Sequence, residues 1–593
     1  MTDTIAKAAT TFPFSIAGFN RYRGLFLLGL AGGVGIVAGL VVTAISGITY
    51  QLHILMFDLP ENSRLSAQAV LASPWMALLP LAGGILMGLS IVLARRWRTR
   101  SPVDPIEANA VHGGRMSFRE SLIVTVQTII SSSFGASVGL EAAYTQMSSA
   151  LASHFAGRLA LRRNEVRMLV GCGAAGGIAA AFNAPLTGAF YGFELIIGVY
   201  SAALLPPVMV ASLAATLTAS HLGAIQSSVE AGDLSLISSA DVLPCLALGL
   251  IGGGVAIGIM QLVAHFERVL SIAKCPPPIR PALGGIVVGL LALITPEILS
   301  SGHGALHVQF NASTAPAMLL LLFALKAIAS IVSLGTGFRG GLFFASLFLG
   351  ALLGKLFSAA MVFTGLAPHL APELAALVGM ASLAVGVVGG PLTMTFLVLE
   401  TTGDLAISVA VLFASVMSSF LVRETFGYSF STWRLHLRGE SIRSAHDIGR
   451  MRSLIVAAMM RPDVRTAPIT MTLAKFCDRF PLGSTERVIA TDDDGIYQGI
   501  VLVAEAHQVF RAGGDVAEGN IEPLLKYTDR VLTPRMTAKD AALQFEASNS
   551  EELAVVDNAD RRKVVGLLTE AYLLRRYAEE LDKGWKDLTG ESA

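Results

Sequence analysis

The chain has 593 residues, 53% of them hydrophobic and only 15% charged, and its 43 basic and 43 acidic residues leave a formal net charge of zero. A typical soluble domain is about 25% charged; here roughly half of the charges fall after Gly439, so the first 440 residues exclude an aqueous fold. Four scattered cysteines (Cys172, Cys245, Cys275, Cys477) with no C-x-x-C pair exclude a disulfide framework and a cysteine zinc site, and the balanced charge names no partner.

The opening segment has no basic stretch leading into a short apolar core, so a removable signal peptide is not expected and residues 1–23 read as a cytoplasmic lead-in. A bilayer span needs about 20 apolar residues. Residues 25–50, 75–94 and 241–265 reach that length, and 342–364 and 374–390 match it or fall slightly short. Arg21 and Arg23 precede the first span, Arg95, Arg96, Arg98 and Arg100 follow the second, and Arg158, Arg162, Arg163 and Arg167 cluster further on. With Arg423, Arg434 and Arg438 flanking the last apolar segment, the positive-inside rule places both termini in the cytoplasm. The expected architecture is an all-α polytopic domain over residues 24–440 in the cell (inner) membrane.

Between the spans lie breaks that are themselves apolar. Examples are Ser133-Phe134-Gly135-Ala136-Ser137-Val138-Gly139, Gly335-Thr336-Gly337-Phe338-Arg339-Gly340-Gly341 and Val388-Gly389-Gly390-Pro391. Irregular backbone survives in the hydrocarbon layer only where protein or a watery cavity covers it, although small residues also serve close helix packing. In the first break, Gly139-Leu140-Glu141-Ala142 puts one acid at the start of a predicted helix over 142–156. A helix N-terminus binds anions. A carboxylate there can occupy the anion's place and yield it when protonated, which is a gate and a proton carrier; the plainer alternative is a dipole-stabilised acid worth about 0.3–1 kcal/mol.

A phrase recurs 206 residues apart. Pro185-Leu186-Thr187 is followed by Glu194, and Pro391-Leu392-Thr393 by Glu400; Gly173, Ala175 and Phe190 match Gly379, Ala381 and Phe396, giving seven identities in 22 positions. Intramembrane acids are functional candidates by default. Weak repetition with Pro and Gly breaks is the pattern of a transporter built from two related halves, here about 24–230 and 240–436. After a linker from 441, short β-branched runs alternate with helical stretches in two similar halves, about 455–510 and 521–583. They resemble a tandem CBS pair, a small cytoplasmic α/β module.

These landmarks together resemble the CLC chloride channels and chloride/proton antiporters. The family's G-R-E-G-P is similar to Gly139-Leu140-Glu141-Ala142-Ala143, and its G-x-F-x-P to Gly341-Leu342-Phe343-Phe344-Ala345. Residues 173–194 and 379–400 match two further segments, Gly427-Tyr428-Ser429 aligns with the tyrosine of the last membrane helix, and a CBS pair is a common appendage. The resemblance implies two inverted-topology repeats of broken, tilted helices in a homodimer with one chloride pathway per subunit. It implies an anion held without a full positive charge, by the backbone N–H groups of Leu342 and Phe343, the hydroxyls of Ser101 and Tyr428, and the segment Leu140 to Ala142, with Glu141 as the gate. Glu194 and Glu400, holding equivalent places, become structural acids.

Departures from the family pattern matter too. G-S-G-I-P is reduced to Arg100-Ser101-Pro102-Val103-Asp104, Leu140 replaces the signature arginine, and Ala143 and Ala345 replace both signature prolines. The acid that many family antiporters use for internal proton delivery is Leu195 here. In the CBS pair, Glu505 and Tyr572 stand where a nucleotide-binding Asp is favoured, so adenine-nucleotide binding and simple dimer stabilisation both stay open.

The expected function is therefore chloride transport through each subunit, gated by Glu141. The compact, bacterial-looking chain leans towards chloride/proton exchange, with Leu195 favouring the alternative of a passive channel. A CBS-containing cation transporter would need clustered carboxylates in the membrane half, which offers only isolated acids, and no Ser–His, Asp–Asp or H-E-x-x-H spacing supports an enzyme. No metal, required cofactor or nucleic-acid partner is expected.

Overall fold

The computed structural model describes residues 16–61, 63–97, 102–159, 161–223, 238–367, 369–437, 454–513, 519–558, 560–576 and 579. Ser101, Arg98, Arg100, Arg438 and most of the lead-in lie outside the described residues. The chain divides into two compact units, Met1–Asp447 and Ile448–Ala593.

The first unit is helical. Its first half comprises α1 (Ile16–Phe57), α2 (Leu79–Trp97), α3 (Pro105–Ala110), α4 (Phe118–Ser133), α5 (Glu141–Arg158), α6 (Arg163–Phe182), α7 (Pro185–Tyr191) and α8 (Leu205–His221). The second comprises α9 (Val242–Ile272), α10 (Arg280–Ala292), α11 (His303–Asn311), α12 (Pro316–Thr336), α13 (Phe343–Thr364), α14 (Pro372–Val388), α15 (Pro391–Thr402), α16 (Leu405–Thr425) and α17 (Phe430–Leu437). Seven helices, among the described residues, are long and apolar enough to cross a membrane. α1 outruns the expected 25–50 at both ends, because no breaker intervenes until the left-handed Asp58 and Pro60.

The halves pair alike: α1 packs on α8 and α9 on α16, α5 on α6 and α13 on α14, while α7 meets α15 directly. The repeated glycines make the second of these pairings close. A methyl group on Gly173 would lie 2.6 Å from the Ser148 carbonyl oxygen, and one on Gly379 would lie 2.8 Å from the Gly354 nitrogen. α6 and α14 are consequently enclosed by protein along nearly their whole lengths.

α6 stops at Asn183 in the left-handed conformation, and Pro185 opens α7; Gly389 and Gly390 (φ +89° and +77°) do the same before Pro391. Left-handed C-terminal residues followed by an N-terminal proline are a helix stop and restart. These breaks place short helix N-termini inside the unit.

In the second unit, β1 (Thr466–Pro468) runs parallel to β2 (Arg487–Thr491), which pairs antiparallel with β3 (Tyr497–Leu502) in the register Arg487↔Leu502. β4 (Glu552–Val556) and β5 (Val564–Thr569) form the second, antiparallel pair, with Glu552 opposite Thr569. Helices Leu473–Arg479, Val503–Ala512 and Ala538–Ser548 cover these strands. Ile489, Tyr497, Ala554 and Val556 join the halves in one apolar cluster. The paired α/β halves have the layout expected of a CBS pair.

Candidate functional site

Two breaks meet backbone to backbone. Gly139 N donates to the Gly341 carbonyl at 2.9 Å, and Gly341 N donates to the Gly139 carbonyl at 3.2 Å, an antiparallel bridge between the loops that open α5 and α13. Leu140 and Leu342 are the residues preceding the two helices, and neither helix has a side-chain cap. The first amides of an α-helix lack intrahelical partners. The bridge therefore brings two uncapped, partly positive N-termini together in a setting suited to an anion. Phe182 holds the start of α13 in place, packing at 5.0 Å from Phe343 and 5.9 Å from Phe344 between ring centroids.

A cavity of about 180 Å³ opens against these N-termini, lined by Glu141, Ala142, Gly341, Leu342 and Phe343. Glu141 is 4% exposed, and its Oε2 has no hydrogen-bond partner among the described residues. The carboxylate folds back over Gly139, where any added methyl group would collide with Oε2. A carboxylate thus sits beside the helix termini, in the position of a displaceable stand-in for an anion. Leu140 itself faces a different cavity, on the opposite side of the first turn of α5.

Tyr428, the expected inner hydroxyl, packs on α17. It does not line the cavity: its hydroxyl meets His436 Nδ1 at 3.2 Å, and its ring stacks on His436 at 4.6 Å and against Trp433 at 5.5 Å. The left-handed turn at Gly427 (φ +82°) sends Tyr428 towards α17, and Phe430 and Ser431 face the cavity instead. The tyrosine on the cavity is Tyr191, which ends α7 and packs on Phe343 at 6.1 Å. Its signal lay inside the repeat, where Tyr191 is opposed by Leu397.

Arg339, Arg434 and Asp104 also line the cavity. Arg339 comes from the Gly-rich break before α13, and Arg434 from α17. Asp104 sits before α3, where its Oδ1 accepts the Glu107 amide at 2.8 Å. Pro102, Val103 and Pro105 complete that wall. Leu195 packs with Ile106, Val170, Ala174 and Ile196 in an apolar cluster.

The repeated acids lie elsewhere. Glu194 accepts the amides of Leu392 and Thr393 (3.0 and 2.8 Å) and the Thr393 hydroxyl (2.6 Å). Glu400 accepts the amides of Leu186 and Thr187 (both 2.8 Å) and the Thr187 hydroxyl (2.7 Å). In the C-terminal unit, the Glu505 carboxylate pairs with Lys526 Nζ. Desolvation raises the Glu552 carboxyl above its usual range.

The fold is that of a multi-span helical membrane protein with a cavity between broken helices. Residues 83–423 match the family described as voltage gated chloride channel, and the chain belongs to that family, the CLC chloride transport proteins. A ClcB-like chloride channel protein of Ralstonia nicotianae is 31% identical over 387 residues, covering 63% of this chain and 89% of that protein. The voltage-gated ClC-type chloride channel ClcB of Escherichia coli is 29% identical over 398 residues, covering 66% and 94%. The fold matches a slow cyanobacterial Cl−/H+ antiporter (TM-score 0.61, 19% identity, 70% of this chain and 97% of that one). It also matches a eukaryotic CLC transporter (TM-score 0.57, 17% identity), across 92% of this chain and 97% of that one. The protein is a multi-pass chloride transport protein and not an enzyme.

Proposed function

We propose that the protein exchanges chloride for protons across the cell membrane, with Glu141 as gate and proton carrier. The observation that carries this reading is the buried Glu141 carboxylate, with one oxygen unpartnered among the described residues, on the cavity that also holds Asp104. Chloride is held at the uncapped N-termini of α5 and α13, by the first amides around Ala142, Leu342 and Phe343. A fixed carboxylate on an anion route repels its cargo; protonation removes that repulsion, which ties anion passage to proton uptake. Asp104 supplies the inner acid that Leu195 does not. Tyr191 and Thr145 line the same cavity.

Passive conduction is the second reading, favoured by the apolar setting of Leu195. Both termini are assigned to the cytoplasm by the arginine distribution, and the working unit is a homodimer. The CBS-like unit is assigned to stabilising that dimer, because Glu505 is engaged by Lys526. Purified protein in chloride-loaded liposomes, followed for anion efflux and external pH together, tests the exchange reading. Efflux with stoichiometric proton movement supports exchange, and efflux at constant pH selects the channel.

A further inference from the structure

The connection from α3 to α4 folds against the last turns of α5. Met116 N donates to Ser153 Oγ at 2.9 Å, and Ser153 Oγ donates to the Gly114 carbonyl at 2.7 Å. Phe118, opening α4, packs on His154 at 6.1 Å between ring centroids. Gly113 and Gly114 turn through left-handed conformations (φ +62° and +81°), and a methyl group on Gly113 would collide with the Arg163 guanidinium. The starts of α4 and α6 and the end of α5 therefore meet at one corner of the unit. Arg23, near the start of α1, belongs to the same end, pairing with Glu165 of α6 at 2.7 Å.

Five arginines stand at this corner: Arg115 in the connection, Arg119 in the first turn of α4, Arg158 in the last turn of α5, and Arg162 and Arg163 at the start of α6. All five are exposed, and none makes an ion pair among the described residues. Neighbouring acids are engaged elsewhere, Glu165 by Arg23 and the Arg162 amide, and Glu107 by His112 at 3.6 Å. Glu120 is the acid left beside the guanidiniums, so the corner carries an excess of positive charge. An apolar track runs away from it. Phe118, Leu122 and Val126 follow at i, i+4 and i+8 on α4, all exposed, and Phe155 and Leu159 are exposed at the end of α5. The positive-inside rule accounts for arginines near the end of a span. It does not account for five of them converging from three helices above one apolar stripe.

We propose that this corner binds a phospholipid whose headgroup carries two phosphates, with Arg119 and Arg158 as its main phosphate ligands and its acyl chains along Phe118, Leu122 and Val126. Guanidinium forks pair bidentately with phosphate oxygens. Clusters of roughly four to eight basic residues beside a membrane-embedded helix are anionic-lipid sites. Arginine above exposed apolar side chains complements a phospholipid, which presents phosphate above acyl chain. Five guanidiniums exceed what one singly charged headgroup neutralises, which selects the lipid with two phosphates. The site lies apart from the cavity at Glu141, and it holds for exchange and for conduction alike.

Native mass spectrometry of the purified full-length protein tests this, after titration in detergent with cardiolipin or with phosphatidylglycerol at equal total charge. Cardiolipin should be retained in preference to phosphatidylglycerol. Arg119→Gln and Arg158→Gln should each weaken its retention about fivefold, the effect of one basic residue at an anionic surface. Arg268→Gln, which removes an exposed arginine from α9 in the other half, should leave retention unchanged. Leu122→Ser should also weaken retention with every charge in place, and it serves if an arginine variant does not fold. Equal retention of the two lipids, an equal loss in Arg268→Gln, or displacement of cardiolipin by inorganic pyrophosphate at matched concentration overturns the proposal.

Discussion

Glu194 and Thr393 lie 199 positions apart yet make two hydrogen bonds, the Thr393 amide and hydroxyl both donating to Glu194 Oε2 at 2.8 and 2.6 Å. The repeat reproduces the pair in the opposite sense, with Thr187 donating twice to Glu400 Oε2. Each half thus uses its own acid to cap the other half's broken helix, satisfying amides that α7 and α15 cannot pair internally. Between the caps, Phe190 and Phe396 stack at 4.1 Å, repeat partner on repeat partner.

Glu194→Gln and Glu400→Gln should therefore destabilise the membrane unit by about 1.5–3 kcal/mol each, the range for hydrogen bonds to charged groups. Thermal unfolding in detergent measures this. Thr393→Val, which leaves the amide bonds in place, should cost about 1 kcal/mol. Unchanged unfolding in either glutamine variant would remove the acids from the scaffold.

Asp104→Asn should leave chloride flux largely intact while reducing proton coupling. Asn caps a helix about as well as Asp, so the α3 amide bond to residue 104 survives while the exchangeable proton is lost. Parallel proton and chloride flux in liposomes separates the two effects; unchanged coupling would move the inner acid elsewhere.

Gly139→Ala should displace the gate. The added methyl collides with Glu141 Oε2, so the carboxylate must leave the α5 terminus, although backbone φ at residue 139 lies outside the left-handed region and tolerates alanine. Chloride flux should rise and lose much of its pH dependence. Flux indistinguishable from the parent chain would mean the carboxylate does not block the route.

How much of this was legible in the sequence differs from residue to residue. Glu141 stood out because a lone acid opening a helix in an apolar run has few structural reasons to be there. The repeat announced two halves, but not that each acid serves the opposite half, because capping across about 200 residues leaves no local spacing. For Tyr428 the motif match gives chain order and not side-chain direction, and the ring packs on Trp433 and His436 after the left-handed turn at Gly427. Asp104 and Arg339 lay in segments already singled out, yet nothing local to them shows that both border one cavity with Glu141. Tyr191 was hidden inside the repeat by attention to what its halves share.

The proposed role of Glu141 is to gate chloride and to carry the proton. Its most direct test is the paired recording of chloride and proton flux for the parent chain and Glu141→Gln in the same liposomes, with a chloride gradient opposing a proton gradient. Uphill proton movement is expected in the parent chain, and chloride movement without proton movement in the variant. Proton transport persisting in Glu141→Gln, or a parent chain that moves chloride at constant external pH, would contradict it.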